Sequence, residues 1–448
     1  MVRTQRRGRL RGLKSTVVAV GAGLLAPLTP VSPVLAGEPR AVSTEAPVER
    51  GKMLFHHVWS PNDPLSNGDG LGPVFNERSC VACHNLGGSG GAGANSKNVQ
   101  LLGAVLLPGT PESRERDELA EFHQGFRSAD SVVLHRFGLD PSYKDWRLSV
   151  VRKLTAPAKS LDLAGFTVSH SQRNTPPLFG LGLIASIPDW AIEEGQNIHY
   201  PECCQARGRV CRDNDGSIGR FGWKAQLPTL RAFVMAACAG ELGLETPSNA
   251  QALSGRGSGP RAHPVDLTMT ECDALFQYVA SLPRPALALP TTPAGARSVR
   301  EGQRIFVSIG CAACHVPMLA EVDGLYSDLL VHDMGARLQD SSFSYGGSVA
   351  RPRDLTSPTE WRTPPLWGLR DSAPYLHDGR ARTIEDAIFQ HDGEASNVTR
   401  RFDSLRAEAK QHLLDFLGSL AAPRSKPPSR GRNVERTTCV GCVKRTWV

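Results

Sequence analysis

Cys80-Val-Ala-Cys83-His84 and Cys311-Ala-Ala-Cys314-His315 spell one pattern twice: two thiols three residues apart, with an imidazole directly after the second. Positions i, i+3 and i+4 share a face when a segment turns into a helix. Two thiols can then reach the two vinyl edges of one porphyrin while the adjoining imidazole meets its iron from the same side. This is the attachment signature of c-type haem. A zinc site would need four ligands, and neither motif has a partner pair at finger spacing. We therefore expect two covalently bound c-type haems, one on Cys80, Cys83 and His84 and the other on Cys311, Cys314 and His315.

Haem attachment of this kind takes place outside the cytoplasm, and the N-terminus agrees. Arg3, Arg6, Arg7, Arg9, Arg11 and Lys14 precede a short apolar stretch from Thr16 to Leu28, and Val34-Leu35-Ala36 offers the small residues that a signal peptidase reads. Residues 1–36 are expected to be a cleaved secretory signal and the protein periplasmic. The formal charge of +7 is concentrated in that segment, so the mature chain is close to neutral and its charge points to no nucleic-acid partner. No apolar run reaches the ~18 residues of a membrane-spanning helix, so no membrane span is expected.

The 448 residues are more than one hydrophobic core usually organises. Glycine (44) and proline (33) exceed their usual shares, which predicts many loops around modest secondary structure. Thr175-Pro-Pro-Leu-Phe-Gly-Leu181 returns as Thr363-Pro-Pro-Leu-Trp-Gly-Leu369, each copy downstream of one haem motif. A weaker echo sets Gly222-Trp-Lys-Ala225 beside Gly379-Arg-Ala381, with Thr229-Leu230 and Thr383-Ile384 opening the helices that follow. The repeat predicts two haem domains of one design, residues 37–282 with insertions and residues 283–421, joined near the Pro-rich stretch 283–293. The Gly-rich stretch 87–98 reads as a mobile loop, and residues 422–448, with seven basic residues against Glu435, as a disordered tail.

Seven cysteines lie outside the haem motifs. Cys238 and Cys272 sit on two helical stretches and suit a bridge. Cys203, Cys204 and Cys211 crowd one loop, enough for one disulfide and an odd thiol. Cys439 and Cys442 have redox-pair spacing without a neighbouring His or second pair, and read as a tail disulfide or spare thiols.

Five stretches carry a resemblance: Asp69-Gly-Leu-Gly-Pro-Val-Phe-Asn-Glu-Arg-Ser-Cys80, Arg173-Asn-Thr-Pro-Pro-Leu-Phe-Gly180, Gly219-Arg-Phe-Gly-Trp-Lys-Ala225, Tyr326-Ser-Asp-Leu-Leu-Val-His-Asp-Met-Gly335 and Leu376-His-Asp-Gly-Arg-Ala-Arg-Thr383. Over roughly residues 50 to 421 the chain resembles the di-haem c-type oxidoreductases labelled thiol oxidoreductases or peroxidases. These are similar to the bacterial di-haem cytochrome c peroxidases and to the di-haem enzyme that matures methylamine dehydrogenase. The resemblance implies a mainly α fold, two cytochrome c-like haem domains with long loops and few strands, and haems facing a shared interface.

In the resembled peroxidases the helix after the His-Asp-Gly segment carries the sixth ligand of the electron-transfer haem, here His391. Counting seven from Ile384 reaches His391, whereas counting seven from Leu230 in the first half reaches Ala237, which cannot ligate iron. The second haem is then expected to be closed by His315 and His391 and the first, on His84, to keep an open site. That is a peroxidase-like division of labour. Glu241, one turn beyond Ala237, corresponds to the family's acid-base group and Trp223 to the tryptophan between the haems. Asn174 corresponds to a calcium ligand, so calcium is a further expected cofactor. Arg231 stands where the peroxidases usually carry a distal glutamine. His332 and Met334 are alternative neighbours of the second iron, and His123, His135 and His170 are alternative sixth ligands of the first.

The expected function is a peroxidase-like oxidoreductase that takes electrons from a small donor protein of cytochrome c or cupredoxin type and reduces peroxide at the open haem, or oxidises a partner there. The competing reading is a non-catalytic di-haem electron-transfer cytochrome with both irons six-coordinate. A further one is oxidation of a thiol or a protein substrate.

Overall fold

Both C-x-x-C-H motifs fold as one short 3-10 turn, Cys80–Ala82 and Cys311–Ala313, in which the second cysteine's N–H donates to the first cysteine's carbonyl. The histidine N–H reaches that same carbonyl, at 3.0 Å in each copy. The shared spacing thus becomes shared geometry. In this computed structural model the described residues are 45–423, apart from 107–111, 128, 156–159, 164, 199, 201–205, 256–263, 286 and 341–355. Residues 1–36, expected to be a signal segment, most of the basic tail, Cys203, Cys204, Cys439 and Cys442 lie outside them. All described residues belong to one compact unit, Thr44–Val448.

The fold is mainly α, and its helices begin and end where local chemistry dictates. Leu230–Leu242 starts on Thr229, whose side chain accepts from Ala232 N, and stops at Gly243 in the left-handed region. Ile384–Gln390 starts on Thr383 with a capping box to Asp386. The echoed Thr-Leu and Thr-Ile pairs are therefore the N-caps of equivalent helices. Met269–Ser281 opens on a Thr268–Glu271 capping box, and Pro293–Ile309 opens with Pro293 in its first turn and Thr292 as cap.

Helices Glu45–His56, Leu230–Leu242 and Met269–Ser281 enclose the first core, which includes Leu54, Phe55, Met235, Cys238 and Leu275. Helices Pro293–Ile309 and Ala407–Gly418 enclose the second, around Phe306, Phe402, Leu413 and Phe416. Most strand residues gather in the first half's insertion. There Ser131–Val133, Val99–Leu106, Phe166–Arg173 and Ser160–Leu163 form a four-stranded antiparallel sheet in that order, Leu101 pairing with Val133 on one side and Ser171 on the other. A third core lies between this sheet and neighbouring helices, around Leu102, Phe126, Leu134, Leu154 and Val168. Among the described residues no helix is long and apolar enough to cross a membrane.

The two copies of the Thr-Pro-Pro-Leu repeat pack on each other. Gly180 and Gly368 both have φ near +70°, and each lies against the other copy's aromatic ring: a Cβ on Gly180 would come within 2.3 Å of the Trp367 ring, and one on Gly368 within 3.4 Å of Phe179. Trp367 accordingly belongs to the core of the first half.

Within the Gly-rich stretch 87–98, expected to be mobile, residues 90–93 are packed and hydrogen-bonded, while Gly87, Gly88 and residues 94–96 are exposed. Gly90 to Gly93 are buried, Leu178 N donates to Gly90 O, and Gly93 N donates to Thr175 O. A Cβ on Gly91 would meet Leu86 O at 1.8 Å, so here glycine permits close backbone approach.

Candidate functional site

Two cavities open beside the two motifs. The first has about 1260 Å³ of empty space counted out to open solvent, and Cys80, Cys83, His84, Ala237 and Glu241 are on its wall. The second has about 1620 Å³ on the same measure, with Cys311, Cys314, His315 and His391 on its wall.

Backbone oxygens orient the histidines. His84 Nδ1 donates to Gly91 O at 3.2 Å and to Pro176 O at 3.1 Å, so the packed Gly-rich loop has a purpose: it carries an acceptor for His84. His315 Nδ1 donates to Tyr326 O at 3.0 Å, a carbonyl presented by a non-glycine residue at φ +53°. His391 caps the Ile384–Gln390 helix, and its Nδ1 donates to Ala387 O at 2.8 Å. With Nδ1 engaged in each ring, Nε2 is the atom that offers a lone pair. Burial pushes the pKa of His84 and of His315 down to about 4 and lowers that of His391, which keeps all three in the neutral, ligating form.

The donor geometry fits a haem at the second site. His315 and His391 have ring centroids 6.5 Å apart. A metal–imidazole bond of roughly 2 Å on each side, plus the ring radii, spans about that distance, so both rings can serve one iron. At the first site the seven-residue count that reaches His391 from Ile384 reaches Ala237 from Leu230; Ala237 lies inside the helix on the cavity wall, and the same helix presents Glu241 one turn further on. Asn76 Nδ2 donates to Glu241 Oε2 at 2.7 Å, and Asn76 N donates to Glu241 O. Asn76 lines the same cavity.

Trp223, Asn174 and Pro176 line both cavities. Trp223 sits on a turn whose neighbours Gly222 and Ala225 have φ of +82° and +51°. It is held by its Nε1–H donating to Asn174 O at 3.0 Å and by Arg362 N donating to Trp223 O. The Asn174 amide Nδ2 donates to Gly93 O and to Asn98 Oδ1.

Several side chains lie elsewhere than the sequence suggested. Arg231 is off the wall of the first cavity and pairs with Asp273, because its position on the helix faces Met269–Ser281. Gln226 stands on that wall instead, its Oε1 accepting from Lys224 N at 3.1 Å. His123, His135 and His170 line neither cavity. They belong to the sheet insertion and its edge, where His135 Nε2 engages Gly240 O. Cys238 and Cys272 are free, buried thiols on facing helices, not a bridge, and Cys238 lines the first cavity. Cys211 is buried. His332 borders the second cavity but has both nitrogens engaged, Nε2 by Asp328 and Nδ1 by Glu394, whereas Met334 lines the wall. Cys314, Asp328 and His332 cluster closely enough to suit a metal, but that thiol belongs to the haem motif.

The sequence alone assigns no role to Asn76, Gln226, Lys224, Trp361 or His377. Asn76, Lys224 and His377 lie inside the motifs quoted above, so their location, though not their part, was signalled there.

A family model described as "Di-haem oxidoreductase, putative peroxidase" matches residues 153–420. Hydrazine synthase subunit gamma of Kuenenia stuttgartiensis is 28% identical over 145 residues, covering 27% of this chain and 40% of that protein. The chain thus spans less than half of that relative. Among solved structures, the di-haem peroxidase BthA of Burkholderia thailandensis is 14% identical, with 84% of this chain and 86% of that chain covered at a TM-score of 0.39. A MauG-like protein associated with microbial copper homeostasis is 16% identical, with 54% and 90% covered at a TM-score of 0.30.

Proposed function

This chain belongs to the di-haem oxidoreductase family, and we propose that within it the protein is a periplasmic, peroxidase-like enzyme whose two haem sites have different tasks. The observation that carries this reading is the pairing of His391 with His315 across the second cavity, set against Ala237 at the equivalent position of the first. Cys80, Cys83 and His84 would hold one c-type haem, and Cys311, Cys314, His315 and His391 the other. Bound there, the haems supply irons that exchange single electrons and, where a coordination position stays open, take up a small oxidant such as peroxide.

The chain's own residues then have definable parts. Ala237 leaves space for a small molecule. Glu241, fixed by Asn76, is the group that accepts and returns a proton as the O–O bond of peroxide breaks. Trp223, touching both cavities and hydrogen-bonded to Asn174 O, shortens the electron path between them. The electron donor is a small redox protein of cytochrome c or cupredoxin type that delivers to the second site. The export signal read in residues 1–36 supports the periplasmic assignment, because thioether attachment of haem is completed there.

Low-temperature electron paramagnetic resonance of the resting, haem-loaded protein tests this. One high-spin and one low-spin signal are expected; two low-spin signals would overturn the reading in favour of a non-catalytic electron carrier.

A further inference from the structure

Trp361 lies between charged and aromatic neighbours at the junction of the two halves. His377 stacks on it, ring centroids 3.7 Å apart and planes 9° apart. The Lys224 ammonium stands 3.6 Å from the indole centroid, with the Arg173 guanidinium carbon 5.0 Å away. The indole Nε1–H donates to Leu338 O at 2.8 Å. All four side chains are buried, so their electrostatics are weakly screened. Trp223 is adjacent to Lys224 in sequence, yet among the described residues no cation is found over its ring. Both indoles line the second cavity, but only Trp223 also lines the first.

Resting on the peroxidase-like reading above, we propose that Lys224 is an electrostatic guard that keeps oxidation off Trp361 and confines it to Trp223. A cation over an indole stabilises the neutral ring's π-face and repels the radical cation that loss of an electron would leave. In the electron path, Trp223 gives up one electron towards the first site while its Nε1 proton stays on the hydrogen bond to Asn174 O. One electron from the external donor, arriving through the second site, restores the indole. Two such transfers and two protons reduce one peroxide to two waters. Trp361, an indole at the edge of the same path, would divert the oxidising equivalent into a side chain that cannot pass it on.

The protonation of Lys224 is built into its contacts. Nζ donates to Ser357 O at 3.0 Å, to Pro358 O at 3.4 Å and to Glu360 O, three acceptors for the three N–H bonds of an ammonium. Burial pulls its pKa down to about 7, with Arg173 acting in the same sense and Asp340 and Glu360 opposing. The guard is therefore mostly charged at pH 6 and almost entirely neutral at pH 9.

The test uses the haem-loaded full chain at pH 6 without reductant, exposed to hydrogen peroxide or, separately, to the one-electron oxidant hexachloroiridate. Peptide mass mapping then locates oxygen added to tryptophan. Wild type and Lys224→Arg should leave Trp361 unmodified, whereas Lys224→Gln should raise its modification at least about tenfold, as expected for removal of a weakly screened charge in contact with the ring. Moving wild type from pH 6 to pH 9 should raise it in the same direction, which tests the idea even if the Gln variant does not fold. Equal marking of Trp361 in wild type at both pH values, or in Lys224→Arg and Lys224→Gln, overturns the guard. If peroxide marks nothing while hexachloroiridate marks Trp361 in Lys224→Gln alone, the guard stands and the peroxidase reading falls.

Discussion

Trp367 lies against Gly180, so close that a Cβ there would sit 2.3 Å from the ring. The reciprocal contact of Phe179 with Gly368 makes this the seam along which the two repeated segments meet. Gly180 has φ of +71°, so Gly180→Ala is penalised twice, by backbone conformation and by steric overlap with Trp367. We expect it to cost more than about 1 kcal/mol and to lower the midpoint of thermal unfolding followed by circular dichroism. An unchanged midpoint would mean that the seam is slack.

His391→Ala should open the second site. The His315–His391 spacing suits two ligands on one iron, and loss of one leaves His315 alone. The low-spin signal in electron paramagnetic resonance should convert to high spin. A spectrum like wild type would transfer the ligand role to Met334, which lines the same wall.

How much of this was legible in the sequence depended on how local each feature is. The haem motifs and the Thr229 and Thr383 caps are short-range, and spacing alone located them, whereas His391 came from the family resemblance, the count from Ile384 reaching the same residue and the matching count from Leu230 reaching Ala237. The Gly-rich stretch misled because glycine serves mobility and close packing equally well, and the difference lies in Leu86 O, Thr175 and Cys83 O pressing on Gly91 and Gly93. Arg231 misled because a shift of a few residues along the chain before a helix swaps the cavity wall for the helix's other face, where Asp273 waits; Gln226 holds the wall. The contact of Lys224 with Trp361 joins residues 137 positions apart with no periodic pattern between them, and nothing local could reveal it.

Glu241→Gln tests the acid-base assignment. The amide keeps the size of the side chain and can still accept from Asn76 Nδ2, but it cannot carry the proton. General acid-base assistance is typically worth 10²–10⁴-fold, so stopped-flow mixing of the reduced variant with peroxide should show a slowing of about that size while both haem spectra stay close to native. A rate within a few-fold of wild type would assign Glu241 a structural part, bracing Asn76.

Ala237→His should close the site that the repeat leaves open. At the second site the ligand's Nδ1 is satisfied by the carbonyl four residues earlier, Ala387 O. The residue four before position 237 is Phe233, which lines the first cavity as Ala387 lines the second. Phe233 O is already engaged by the helical N–H of residue 237, so a histidine there is positioned by the helix and by the cavity its face borders rather than by that carbonyl. With ligands on both sides, the first haem should become low spin, the high-spin resonance should vanish, and the reaction with peroxide should fall below detection, since the oxidant would have no open position. Persistence of the high-spin signal in the folded variant would show that the helix Leu230–Leu242 stands too far from the iron for position 237 to reach it, and the equivalence of Ala237 with His391 would fail.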